Sequence, residues 1–273
     1  MVKQISFIAK IIGMVFIFNL FIYQAADAAR VYILLTPSHE QFYTDWFLPT
    51  LPSDCELVIT RMPQWCKSGE YQKSGWQKIM LAKVDLVIRA IEENWGNYFI
   101  FSDVDIQFFG EITPGIEELI KSHDLVIQRD SPPRKAYPKG LACAGFFACQ
   151  GNENTLKLWK EVRACMTKCN VHDQKALAII LYGDPSLVPV SWCFLPNKYM
   201  SAGTYLGDGW KPNKPFPIAE DIVLHHANWT EGKSNKIRQL RMVRDAVKNR
   251  QLNLPTKNII WKQPDALNST ESL

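Results

Sequence analysis

The chain has 273 residues, 47% of them hydrophobic and 21% charged, which suits one α/β domain with a sizeable core behind an unusual N-terminal segment. A net charge of +4 is small for that length, so no global field points to nucleic acid, and any basic partner surface must be local. The sequence shows no internal repeats, no low-complexity linkers and no convincing boundary after the N-terminal segment.

Met1 to Gln4 carry Lys3 and are followed by a strongly apolar run from Ile5 to Tyr23, broken by Lys10 and Asn19. The run ends in Ala25-Ala-Asp-Ala28-Ala29, and Ala26-Asp27-Ala28 is an A-x-A cleavage signal. Residues 1–28 therefore read as an export signal that is removed, giving a secreted or secretory-lumen protein. The alternative is an uncleaved signal anchor, because the apolar stretch is long; membrane contact then runs through this segment alone. Residues 29–255 read as the catalytic domain and 256–273 as a C-terminal tail.

Strand and helix alternate from there. Arg30 to Leu35 predicts a strand, Glu40 to Leu51 a helix, Glu56 to Arg61 a second strand, and Trp76 to Asn94 a long amphipathic helix. Strands follow at Leu125 to Gln128 and Leu141 to Cys149, and helices at Asn154 to Cys165 and His172 to Leu181. After Pro185 the chain turns irregular until a strand at Asp221 to His225 and a basic helix from Lys236 to Asn249. This order predicts a mixed, mostly parallel sheet flanked by helices. Ile237, Leu240, Val243 and Val247 give the basic helix an apolar stripe, so it packs on the domain with its cations outward.

Seven cysteines permit disulfides in an exported protein, and the odd total leaves at least one unpaired in a monomer. Their spacing fits no standard zinc pattern, and buried thiols acting as small apolar groups are the plain alternative. Asn228-Trp-Thr230 and Asn268-Ser-Thr270 are glycosylation sequons if the host is eukaryotic.

The chemistry concentrates after Tyr98-Phe-Ile-Phe101, an apolar run with the character of a strand buried on both faces. It leads into Ser102-Asp-Val-Asp105, placing two carboxylates at the C-terminal end of a strand, where open α/β sheets bind ligands. Side chains two apart on an extended segment point the same way, so Asp103 and Asp105 can share one hard cation. An Asp-rich turn bonding its own backbone is the plain alternative.

Four segments in order resemble the GT-A-fold nucleotide-diphospho-sugar transferases, especially glycosyltransferase family 77 and more distantly family 8. Phe101-Ser-Asp-Val-Asp105 resembles their metal motif and Ala144-Gly-Phe-Phe147 their donor-sugar strand. Asp173-Gln174 resembles their mid-chain Asp-Gln, and His226-Ala-Asn-Trp-Thr-Glu-Gly232-Lys-Ser-Asn-Lys236 their C-terminal His-Asn-Gly-Lys segment. The resemblance spans residues 30 to 250. It implies a GT-A-type, Rossmann-like α/β fold in one domain. It also implies a metal-dependent, retaining transfer of sugar from a nucleotide diphosphate, UDP above all, to a hydroxyl of a glycan, protein or small-molecule acceptor.

It further implies roles for individual residues. Asp105 and His226 would ligate manganese or magnesium, with Asp103 beside the metal or the ribose. His225 is the competing imidazole, and strand alternation lets only one of the two reach the metal. Gly232 would allow close approach of the diphosphate, and Lys236, rather than Lys233, would meet its charge. Thr36 and Ser38 would border the nucleoside, Lys83 would face the donor, and Ala144 and Gly145 would present backbone to the sugar. Cys143 departs from the Asn or Asp that usually precedes that Ala-Gly. Gln174 would stand beside the anomeric carbon with Asp173 orienting hydroxyls, although an N-cap explains Asp173 equally well.

Two rival classes stand beside this reading. Haloacid-dehalogenase-type phosphohydrolases also carry Asp-x-Asp after an apolar strand, but theirs comes first in the domain, whereas two predicted strands precede Asp103. A non-catalytic, sugar- or partner-binding relic of the fold is the other.

Overall fold

A computed structural model describes residues 28–67, 69, 73–203, 209–212, 214–256 and 258–263. The expected export signal and the Asn268 sequon lie outside them. Among the described residues, no helix is long and apolar enough to cross a membrane.

The core of the molecule is a six-stranded sheet. Its strands are β1 (Ala29–Leu35), β2 (Cys55–Arg61), β3 (Tyr98–Ser102), β5 (Leu125–Ser131), β6 (Leu141–Gln150) and β7 (Trp192–Phe194), in the order β2-β1-β3-β6-β5-β7. Neighbours pair in parallel except at β6, which is antiparallel to both β3 and β5. Five strands thus run one way and β6 alone opposes them, matching the mixed, mostly parallel sheet expected. The reversed strand brings the N-terminal half of β6 to the edge where β1, β3, β5 and β7 end.

Burial on both faces explains the apolar runs. Along β3, Phe99 and Phe101 pack into one cluster with helix α1 (Trp76–Glu93) and helix α3 (Glu153–Cys169). Ile100, pointing the other way, joins a second cluster with Phe42, Phe47 and helix α2 (Thr113–Ile120). Helix α4 (Asp173–Leu181) completes the first layer, and helix α5 (Lys233–Gln251) adds Leu240 to the second. The apolar stripe expected on α5 is present: Leu240, Val243 and Ala246 are buried while Arg238, Arg241 and Lys248 are exposed.

Two small sheets attach to this frame. One has the order β4-β10-β8, from β4 (Ile106–Phe108), β8 (Tyr199–Ser201) and β10 (Leu224–His226). The other pairs β9 (Phe216–Ala219) with β11 (Ile259–Lys262), so paired structure reaches into the segment expected as a tail.

Three expectations need correcting. The helix expected over Glu40 to Leu51 is a series of short turns, including a π-helical stretch at Tyr43–Phe47 and a 3-10 turn at Leu48–Thr50 whose first turn holds a proline. That proline has no N–H to continue an α-helical ladder, and Phe42, Tyr43, Trp46 and Phe47 take their conformation from core packing instead. The strand expected over Asp221 to His225 is only Leu224–His226. All seven cysteines, which the sequence allowed to pair, are free thiols, and the Cys165 thiol meets the Cys169 sulfur at 3.8 Å without a disulfide.

Candidate metal and nucleotide-sugar site

The site forms where β3 ends and β4 begins. The backbone N–H of Asp103 donates to the carbonyl of Gly145 on β6 at 2.7 Å, and that of Ala227 donates to the carbonyl of Asp105 at 3.0 Å. Antiparallel pairing of β4 with β10 sets His226 opposite Ile106, one residue past Asp105. Neighbouring strands thereby converge two carboxylates and an imidazole: one ligand atom from each of Asp103, Asp105 and His226 lies within 4.8 Å of the others.

His226 Nε2 stands 3.3 Å from Asp105 Oδ1 and 3.9 Å from Asp103 Oδ2. Its Nδ1 meets Gln128 Oε1 at 2.9 Å, and the Gln128 amide nitrogen donates to the Tyr199 carbonyl at 3.0 Å. That second bond fixes the amide so that its oxygen faces the ring. Nδ1 therefore donates to Gln128, and Nε2 is the ring atom that faces the carboxylates. Two carboxylates and an imidazole nitrogen are a donor set that fits a hard or borderline divalent ion such as Mn2+ or Mg2+.

His225 points away. It is fully buried, bonds Gln239 Oε1 through Nε2 at 3.1 Å and packs edge-on against Phe216. Burial, with His226 nearby, lowers its pKa to about 3, so it is a neutral core group.

Cations balance the carboxylates. Lys83 is 5% exposed, with Nζ 3.2 Å from Asp103 and 3.1 Å from Asp173 and the Phe101 ring beneath it. Burial opposes its charge, yet the two carboxylates hold its pKa above the ordinary lysine value. It is not the exposed helix cation that its residue type alone suggests. Lys236 Nζ lies 2.5 Å from Asp105 Oδ2. Burial opposes ionisation of Asp105, but Lys236 and His226 override it and hold this carboxyl well below its usual range. Lys233 reaches the Ser38 carbonyl at 3.0 Å, so both lysines border the site, in different places. Gly232 adopts φ 78°, and a Cβ there would meet nothing, so its role is backbone conformation at the start of α5 rather than clearance.

Gly145 is sterically required, since a Cβ there would come within 2.3 Å of His226 Cε1 and 2.6 Å of Asp103 Oδ2. Next to it, the Ala144 N–H donates to Gln174 Oε1 at 3.3 Å. The cap of α4 is His172, not Asp173: its ring accepts from the Lys175 N–H, freeing Asp173 for the ion pair with Lys83. Burial works against its ionisation, but Lys83 brings the Asp173 pKa down to about 2.

Thr36 and Ser38 lie past the end of β1 together with His39, which the sequence reading missed. His39 Nδ1 is 3.1 Å from Thr36 Oγ1 and 2.9 Å from Ser38 Oγ. Also missed was a buried bracket on Asp130. Its Oδ1 accepts from Asn228 Nδ2 at 2.8 Å, and its Oδ2 from Trp229 Nε1 at 2.9 Å and Gln174 Nε2 at 3.0 Å. Trp229 takes φ 53°, which is strained for a bulky side chain and places its indole over Asp130. The Asn228 amide also donates to Ser201 Oγ at 2.7 Å, so this sequon asparagine is a structural part of the site and unsuited to carry a glycan.

A sheet of this order, with Asp-x-Asp ending its third strand and a histidine facing it, defines a GT-A-type transferase. A family model for nucleotide-diphospho-sugar transferases matches residues 52–240, and the chain belongs to that family. Among solved structures it is similar to a glycosyltransferase involved in the glycosylation of the major capsid of PBCV-1, with TM-score 0.50 and 10% identity over 78% of this chain and 99% of that one. At that identity the likeness speaks for the fold. No curated protein matches the chain.

Two outcomes follow from this geometry. Gly145→Ala forces His226 and Asp103 apart, so metal-dependent nucleotide binding, followed by fluorescence, should weaken about tenfold or more while the thermal midpoint moves little. Burial lowers the His39 pKa from 6.5 to about 4, so between those values the unfolded chain binds a proton that the folded one does not. Stability from this group is therefore complete above pH 6.5 and lost as pH falls towards 4. Urea midpoints in chelator at the two ends of that window should differ less in His39→Gln than in the parent.

Proposed function

We propose that the protein is a metal-dependent, retaining glycosyltransferase that moves a sugar from a UDP-sugar to an acceptor hydroxyl. The observation that carries this reading is the convergence of Asp103, Asp105 and the Nε2 atom of His226 at one point, with Lys83 and Lys236 on either side. Asp103, Asp105 and His226 would hold a divalent ion, whose charge would neutralise the diphosphate leaving group. Lys236 adds a cation for the diphosphate, and Thr36, Ser38 and His39 offer hydroxyls and a neutral imidazole to the nucleoside. The tight backbone at Ala144 and Gly145 lets the sugar lie close to β6.

Gln174 is pinned on both ends, its nitrogen on Asp130 and its oxygen on the Ala144 N–H, which supports a role holding a fixed dipole beside the anomeric carbon. Asp173, kept ionised by Lys83, supports hydroxyl orientation rather than proton abstraction. Retention rests on the resemblance of Asp173-Gln174 to the family's motif. Export through the N-terminal segment would place the enzyme in the secretory lumen or outside the cell.

Purified protein should bind UDP more tightly with Mn2+ than with chelator, and Asp105→Ala should erase the difference. Equal binding in both conditions would sink the site. A screen of UDP-sugars for released UDP then identifies the donor.

The two histidines give a second test. His226→Ala should lower turnover by at least the ~10–100-fold that loss of an outer-shell partner costs, with the fold intact. His225→Ala should spare turnover and cost about 1–3 kcal/mol of stability. An active His226→Ala beside a dead but stable His225→Ala would reverse the assignment.

A further inference from the structure

Strand order lays the site out along one edge of the sheet. Thr36 stands at the end of β1, Asp103 at β3, Ala144 at β6, Asp130 at β5 and Phe194 at β7. With strands about 4.8 Å apart, the β5 end lies roughly 14 Å from the nucleoside side. The chain crossing from β5 to β6 therefore rims the end of the site away from the proposed nucleoside side.

That connection, Pro132-Pro-Arg-Lys-Ala-Tyr-Pro-Lys-Gly140, carries three cations and no acid. Arg134, Lys135 and Lys139 are exposed, as is Lys175 at the start of α4, whose Nζ donates to Tyr137 Oη at 2.9 Å. Asp130 beneath them is buried and directs its oxygens inward to Asn228, Trp229 and Gln174. Aromatic rings run through the same surface: Tyr137 lies 5.4 Å from Tyr182, and Tyr182 lies 5.5 Å from Trp192. Arg134 sits 5.8 Å from the Trp229 ring and Lys139 5.9 Å from that of Trp192.

The loop is also held in shape. Arg134 and Tyr137 exchange both backbone hydrogen bonds, at 3.0 and 2.9 Å, and the Tyr182 hydroxyl donates to the Gly140 carbonyl. Cations on a braced loop attract an anion without a large ordering cost.

We propose that this cationic, aromatic rim is the acceptor subsite and that the acceptor is an acidic glycan, one bearing carboxylate or sulfate beside the hydroxyl to be glycosylated. The inference rests on the transferase reading above and deepens it. Lysines and arginine match the anionic groups, and the ring faces of Tyr137, Tyr182, Trp192 and Trp229 match the apolar C–H faces of sugar rings. An acidic peptide would use the charges and leave the rings without a matching flat surface.

The test compares tetragalacturonate with its methyl ester, which keeps the sugar backbone and replaces each carboxylate by a neutral ester, by titration calorimetry on the full chain without nucleotide. The acid form should bind at least tenfold more tightly at low salt, and the advantage should shrink as salt is added. The double variant Lys135→Glu/Lys139→Glu should abolish that preference while leaving Mn2+-dependent UDP binding unchanged. Equal affinity for acid and ester, no detectable binding of either, or an unchanged preference in the variant would overturn the proposal. A tetra-aspartate peptide binding as tightly as the acid glycan would overturn the assignment to a sugar. Because no donor takes part, these outcomes are separate from the UDP and metal measurement.

Discussion

Two carboxylates two residues apart at the end of a buried strand repel each other, and the rest of the site exists to hold them there. Like charges ~4 Å apart cost about 4 kcal/mol at the effective dielectric of a protein surface, before any loss of hydration. Here each carboxylate has its own cation: Lys83 serves Asp103 and Lys236 serves Asp105, with His226 between. These groups come from α1, α5 and β10, so balancing the charge of one Asp-Val-Asp segment ties together elements far apart in the chain. Without a divalent ion, Lys236 supplies the positive charge that Asp105 needs.

Orientation comes from a second layer. Gln128 holds the His226 ring through Nδ1, and Gln128 is in turn fixed by the Tyr199 carbonyl on β8. Asp130 gathers Gln174, Asn228 and Trp229, joining α4 and the segment after β10 to the end of β5. One strained backbone position, Trp229, completes that bracket. Strain of about 1–3 kcal/mol persists only where surrounding contacts over-determine it, and the three hydrogen bonds on the buried Asp130 carboxyl provide such contacts.

How much of this was legible depended on range. Asp103 and Asp105 stood out because a continuous apolar run leads into them, and the opposed orientations of His225 and His226 follow from strand alternation alone. Lys83 was legible in principle, as it falls in the buried stripe of α1 with Ile79, Val87 and Ala90. A lysine inside such a stripe must have anionic partners. Gln128, Asp130 and Asn228 carry no local signal: each is an ordinary polar residue whose partner lies up to 99 positions away. The short strands β7 to β9 hide for the same reason, being only three or four residues long and fixed by pairing rather than by their own pattern. The turns after β1 failed as a predicted helix because burial of four aromatic rings outweighs local periodicity there.

The reversed direction of β6 then explains why the site has a definite polarity. Had β6 run parallel to its neighbours, its C-terminal end would lie at the site edge, and the hairpin from β5 would become a long crossover. Running antiparallel, it presents Gly145 to Asp103 within a few residues of the loop that carries Arg134, Lys135 and Lys139. The same short segment thus makes the floor against which the metal ligands close and the cationic rim beyond them. In the proposed reading, donor sugar and acceptor meet over one strand, and their spacing is fixed by the sheet rather than by mobile loops.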